Sequence, residues 1–229
     1  ERNQRHEGVT RVLAVPTSQE LGGDFSARSG QLLDPLTKQP FPGNIIPASR
    51  IDPSGQFLTR LYPAANVPGA LSGANNFRAN AVNTHAGNCF IGRLDHIVND
   101  SNRLMARYLD FRSTDRPGTV TPNSSADTGS IIESEDPIFT TNWYHTFRPS
   151  LISETRFTYI WRGNNEIGIG AFTNSLAKDA GLSGVALDGM PNFTVTGYSS
   201  LGNGSARLIY PQRTIQLIQA FTWSQGKHF

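Results

Sequence analysis

From residue 89 onward, apolar and polar residues trade places with a period of two. In residues 89–97 (CFIGRLDHI), Phe90, Gly92, Leu94 and His96 share one face and Ile91, Arg93, Asp95 and Ile97 the other. The same alternation returns in 103–111 (RLMARYLDF), 138–147 (IFTTNWYHTF), 152–162 (ISETRFTYIWR) and 213–224 (RTIQLIQAFTWS). A period of two is the mark of a β-strand with two unlike faces. Asn99-Asp100-Ser101-Asn102 and Arg148-Pro149-Ser150 are short polar turns, so the first four strands pair into two hairpins. Between and after the hairpins lie long polar segments, 112–136 and 163–212, rich in Gly, Ser, Asn and Thr. Gln225 to His228 reads as a further turn, with Phe229 opening another element.

Residues 1–88 show no sustained period. They hold 9 Gly and 8 Pro, and most of them read as one long extracellular-type loop region with short helices. Two helix starts stand out. Thr17 followed by Glu20 has the spacing of a capping box. Asp52-Pro53 sets a capping side chain before a proline at the first helical position, and that helix extends through Phe57, Leu58 and Leu61 toward Pro63. The expected organisation is therefore a loop region over 1–88 and strands with loops over 89–229. Loops of this length are either functional or disordered, and the Phe and Leu content favours order.

Composition agrees. Gly 22 and Pro 14 stand beside a charged fraction of only 17%. The formal net charge of +2 is spread over both signs, which leaves no electrostatic footprint for nucleic acid. One cysteine, Cys89, excludes a disulfide scaffold. No run of about 18 apolar residues is present, so no helix is expected to cross a membrane. The chain opens on Glu1 and stops at Phe229 inside an apparent element, and it is read as a piece of a longer protein.

Strands of nine to twelve residues, short turns at one end, long loops at the other, and one aromatic face against one charged face are together the signature of a transmembrane β-barrel. Aromatic rings gather where such a wall meets the membrane interfaces. An arginine facing lipid at mid-bilayer costs about 2–4 kcal/mol. Arg93, Asp95, Arg107, Glu154 and Arg156 are therefore expected to face the lumen. Phe157, Tyr159, Trp161, Leu217, Phe221 and Trp223 are expected to face lipid. The lumen set reads either as a pathway lining or as a hydrogen-bonded ladder of cross-strand pairs, each worth about 0.2–1 kcal/mol.

Catalytic and metal chemistry find little support. His6, His85, His96, His145 and His228 lack the close spacing of a zinc motif. There is no G-x-S-x-G elbow for a serine nucleophile, and Gly202-Asn203-Gly204 lacks the strand-then-helix setting of a phosphate loop. No cofactor, metal or enzymatic activity is expected. Recognition would fall to the loops, where Phe41, Tyr62, Phe77, Phe193 and Tyr198 are candidate ligand contacts. Packing within the loops is the alternative role for the same rings.

Particular blocks carry a family resemblance. VPTSQELGGDFS at 15–26, DPLTKQPFPGNIIPASRIDP at 34–53, Leu61-Tyr62-Pro63, GRLDHIVNDSNRLMARY at 92–108, Pro149 to Arg156, PNFTVTGYSSLG at 191–202 and WSQGKHF at 223–229 resemble, in order, the Oar-like TonB-dependent receptors of Gram-negative outer membranes. Lys38 departs from the pattern, since the family usually has glycine there. The resemblance implies an internal portion of a plugged barrel that captures and imports a bulky ligand. Its implied partners are the rest of its own barrel and plug, the inner-membrane TonB complex reached through that plug, outer-membrane lipid and an unknown extracellular ligand. Two alternatives stand beside it: a β-sandwich that binds glycan or protein, and an adhesion or secretion role for an Oar-like barrel.

Overall fold

The structure, a computed structural model, describes residues 1–70, 73–172, 175–185, 189–204 and 207–225. Six strands run in chain order through one antiparallel sheet: β1 (Arg2–Leu13), β2 (Phe77–Asn99), β3 (Asn102–Arg116), β4 (Ser130–Arg148), β5 (Leu151–Gly168) and β6 (Arg207–Trp223). Neighbours in sequence are neighbours in the sheet, the up-and-down order that short turns impose. Among the described residues no second sheet covers either face. No helix among them is long and apolar enough to cross a membrane.

The tight turns β2–β3 and β4–β5 lie at one end of the sheet and the three long connections at the other. Asn99 builds the first turn: its Oδ1 accepts from the Ser101 N–H (3.0 Å) and from Asn102 Nδ2 (2.9 Å). The register slips by one at Ile97/Asn99 and again at Thr146/Arg148. Each slip sits beside its turn, so it leaves the alternation of the strand bodies intact.

The strands are longer than their alternation suggested. β2 is 23 residues and passes straight through residue 88, where the sequence had placed a division. β1, inside the segment read as loop, pairs with its first half from Leu13↔Phe77 to Arg2↔Asn88. β3 reaches Arg116, β4 begins at Ser130 and β6 at Arg207, so the connections shrink to 14–76, 117–129 and 169–206. The reason is physical. In these extensions no apolar face is set against a polar one: Arg5, His6 and Glu7 of β1 are polar in succession, and Leu208, Ile209 and Tyr210 of β6 are apolar in succession, so no period of two marks strands that ladder hydrogen bonds define. The turn and new element expected at 226–229 lie outside the described residues.

Among the described residues three short α-helices punctuate the connections: α1 (Ser18–Leu21), α2 (Pro53–Thr59) and α3 (Leu176–Asp179). Both expected helix starts are formed, but α2 stops at Thr59, short of the Leu61 to which the sequence extended it. The Thr17 hydroxyl accepts from the Glu20 N–H (3.3 Å) while the Glu20 carboxylate accepts from the Thr17 N–H (2.8 Å). Asp52 accepts from the Gly55 N–H (2.9 Å) ahead of Pro53. The departure at Lys38 also has an explanation: its φ of 59° lies in the left-handed region, which a residue with a Cβ enters at a cost of about 1–2 kcal/mol and glycine enters freely.

Candidate functional site

The register sorts the expected residues into two sets on opposite faces. On one face, Tyr108, Phe139, Tyr159 and Ile215 form a cross-strand row. Ala106, Thr141, Phe157 and Leu217 form the next row toward the turns, and Leu104, Trp143, Thr155 and Gln219 the one after. Trp161 tops this face opposite Arg213, and Trp223 ends it opposite Leu151. Phe157, Tyr159, Trp161, Leu217, Phe221 and Trp223 therefore share one face. Leu94, Ile215, Leu217, Phe221 and Trp223 are largely exposed. Large rings also cover small residues here: a Cβ added at Gly163 would collide with the Trp161 ring, and one at Gly92 would touch Phe90.

The apolar stretch has a definite height. From Trp161/Arg213 to Leu151/Trp223 each strand spends eleven residues. At about 3.3 Å per residue and a tilt of about 40°, these rise about 25 Å, the height of the apolar band of an outer-membrane barrel. Charge begins in the top row of the band, with Arg213 and Asp110, and continues one row beyond it. Arg112 pairs with Asp110 (3.0 Å) and lies 3.8 Å from Glu135.

The opposite face carries the charged set. Arg93, Arg107, Thr140, Thr158 and Gln216 form one row, and Asp95, Met105, Asn142, Arg156 and Ile218 the next. Arg93 grips Asp95 through Nε (2.6 Å) and Nη2 (2.8 Å). Arg156 donates to Glu154 (2.7 Å). Asn142, at 2% exposure, donates through Nδ2 to Glu154 (2.7 Å) and to the Tyr144 hydroxyl (3.0 Å). Asn142, Tyr144 and Arg103 were not singled out from the sequence. Their signal was their phase in the alternation, which puts them beside the charged set.

At the loop end, the three long connections share one hydrophobic core and together form a cap on the sheet. Val15, Leu58, Leu61, Tyr62 and Phe77 enter it from the first loop and its junction with β2, Ala126 from the second, and Leu176, Ala180, Met190 and Leu201 from the third. Leu201 and Val15 are essentially inaccessible to solvent. Polar bonds tie the loops together. The Ser199 N–H donates to Ala14 O (2.9 Å) and the Gly202 N–H to Ala126 O (2.8 Å). Gly202 has φ of 69°, and a Cβ there would strike the Pro191 carbonyl. Asp127 gathers the Val120 and Thr121 N–H groups, each at 2.7 Å. Deepest is Asn76, which accepts from Val15 N–H and donates to Val15 O, both at 2.8 Å.

The five loop aromatics do not converge on one surface. Tyr62 and Phe77 are buried in the core, and Phe193 and Tyr198 pack against it. The packing role weighed for these rings is the one the cap gives to those four. Phe41 stands apart and half-buried beside the Pro42–Asn44 turn. Tyr62 donates to Ser199 O (2.6 Å), and burial, with Tyr198 beside it, pushes its phenol up to about 12. Arg28 lies over the Tyr198 ring, 4.8 Å from its centroid, and pairs with buried Glu20 at 2.8 Å. Backbone bonding by Leu36, aided by Arg50, holds the Asp34 carboxyl below the usual carboxylate range.

Among the described residues no three His, Cys, Asp or Glu side chains gather as a metal site; His228 lies outside them. No curated protein sequence and no solved structure matches the chain. One protein family does match, described as outer membrane beta barrel domain, over residues 1–229. An antiparallel up-and-down sheet, an apolar band of membrane height, and tight turns opposed to long loops are what that family's architecture requires, and the chain belongs to the outer membrane β-barrel domain family, located in the outer membrane.

Proposed function

We propose that this chain forms part of the barrel of a TonB-dependent receptor of the Oar-like type, which captures a bulky ligand outside the cell and imports it. The observation that carries this reading is the shared core of the three long loops. A merely structural barrel has no use for about a hundred residues of loop folded around Val15, Asn76 and Leu201, whereas a receptor needs a preorganised mouth. The motif resemblance from Val15 to Gly202 supports the same assignment.

In this reading the face bearing Phe157, Leu217 and Phe221 meets lipid, and the face bearing Arg93, Asp95, Arg107, Glu154 and Arg156 lines the lumen. Within the apolar band the sheet's open edges are β6 and the turn half of β2, because β1 pairs only with Phe77–Asn88, and unpaired edges are not viable in hydrocarbon. Further strands of its own barrel therefore pair with both, and a plug within the lumen couples to the inner-membrane TonB complex. Ligand capture falls to exposed parts of the cap, Phe41 among them.

The test is to compare growth media conditioned by wild-type cells, cells lacking this protein and cells depleted of TonB. The expected result is at least one medium component whose removal requires both proteins, and requires residues 176–204. Removal that needs this protein but not TonB, or no component that depends on it, would overturn the import reading.

A further inference from the structure

The polar face holds a feature that a hydrogen-bonded ladder does not explain. Arg93 and Arg107 stand directly opposite one another on β2 and β3. Like charges in that position are destabilising. Arg93 is occupied by Asp95, but Arg107 has no ion pair among the described residues, and its other cross-strand neighbour is Thr140. Two rows toward the turns comes Arg103, opposite Ile97 on one side and Tyr144 on the other. Arg103 also has no ion pair among the described residues. The turn-half of this wall therefore carries four arginines, at 93, 103, 107 and 156, against Asp95 and Glu154.

The same region is concave and partly apolar. A cavity of about 650 Å³ lies at the turn end, lined by Arg93, Arg103 and Tyr144 together with Ile97 and Met105, and also by two carboxylates, Asp95, which Arg93 occupies, and Asp100 of the turn; Arg107 stands beside it, opposite Arg93. That volume is in the range of small-molecule sites, which pair apolar walls with a few placed polar groups. One row beyond Arg93–Arg107, toward the loops, Ile91, Leu109, Ile138 and Ile160 form an aliphatic row across four strands of the otherwise polar face. Guanidinium groups bracketed by aliphatic surface suit one kind of occupant: an acidic head on an apolar body. The planar guanidinium fork binds carboxylate or phosphate with two parallel bonds, while Ile and Met surface rewards the apolar part.

We infer that Arg103 and Arg107, with Arg93, Tyr144, Ile97 and Met105, form a binding site for an organic anion with an apolar body on the inner wall of the barrel. The inference rests on the reading that this face lines the lumen, and it gives the imported ligand a chemical class. Acidic side chains of a protein segment filling the lumen have the same head chemistry, and their occupancy is one outcome of the test.

The experiment uses the protein purified from outer membranes in a neutral detergent, with 2-naphthoate as probe and 2-naphthylmethylammonium as its cationic counterpart, both followed by equilibrium dialysis. Saturable binding is expected for the naphthoate and not for the ammonium. R103Q/R107Q should weaken naphthoate binding at least tenfold, and R213Q, which removes a charge from the opposite face, should change it less than twofold. Heat-dependent gel mobility checks that each variant is assembled, and the two probes on the unaltered protein decide the matter even if the double variant does not assemble. Equal binding of both probes, naphthoate binding indifferent to R103Q/R107Q, or no saturable binding because protein already occupies the wall would each overturn the site. None of these touches TonB-dependent uptake, and loss of that dependence would leave the binding result standing.

Discussion

Leu217→Arg is expected to lower the stability of the membrane-assembled protein by about 2–4 kcal/mol, whereas Gln216→Arg, one residue away, should change it by less than about 0.5 kcal/mol. Leu217 sits midway along the eleven-residue apolar stretch and is 71% exposed. On the surface of a protein in water, an Arg at so exposed a position would be nearly neutral. In hydrocarbon the guanidinium loses its hydration at the depth where that loss is greatest. Gln216 is on the other face, in the row of Arg107 and Thr158, where water and polar neighbours receive a charge. Urea unfolding of the protein in lipid vesicles reads the difference. Equal effects at 216 and 217, or a negligible effect at 217, would mean that the apolar face does not meet lipid.

The second large effect is expected in the cap. Asn76→Ala removes two hydrogen bonds and leaves the Val15 N–H and C=O buried without partners. Each such group costs about 1–3 kcal/mol, so the cap should lose about 2–4 kcal/mol. Asn66 supplies a control of the same geometry: it accepts from Arg78 N–H (2.8 Å) and donates to Arg78 O (2.7 Å), but it is exposed. Water replaces those bonds, and Asn66→Ala should cost less than about 1 kcal/mol. Hydrogen exchange measures both. In Asn76→Ala, protection should fall together in 14–16, 120–127 and 190–204, because the three loops share one core. Loss confined to 14–16 would show that the loops fold independently. The strands below should keep their protection in either variant.

These predictions mark how far the sequence could be read. Where one face of a strand is apolar and the other polar, alternation reported it: every residue from Phe157 to Trp223 assigned to the apolar set shares one face in the register, and every residue of the charged set shares the other. Where both faces are polar, alternation vanished, and β1 with the first half of β2 passed for loop. Division of the chain near 88 was a change of environment, from polar surroundings to an apolar band, inside one continuous strand. Helix starts at Thr17 and Asp52 were legible because a cap is a local bond between residues two or three apart. The cap core was not, because Ala14 meets Ser199 and Ala126 meets Gly202 through contacts that no short pattern encodes. Tyr62 and Phe77 show the same limit: an aromatic in a polar loop reads equally as a contact or as a core ring, and only the three-loop packing separates the two. Arg107 was assigned to its face, but that it stands against Arg93 required the register.

The central claim is that one face of this sheet meets hydrocarbon and the other does not. Spin labels placed singly at 213–223 in the protein reconstituted in lipid vesicles test it directly, by collision with oxygen, which concentrates in lipid, and with a water-soluble nickel chelate. The account predicts that oxygen accessibility peaks at 215, 217, 219 and 221, highest near 217, with nickel accessibility low there, and that 214, 216, 218 and 220 lack the oxygen peak. Oxygen accessibility without a period of two, or nickel access at 217 equal to that at 216, would contradict it.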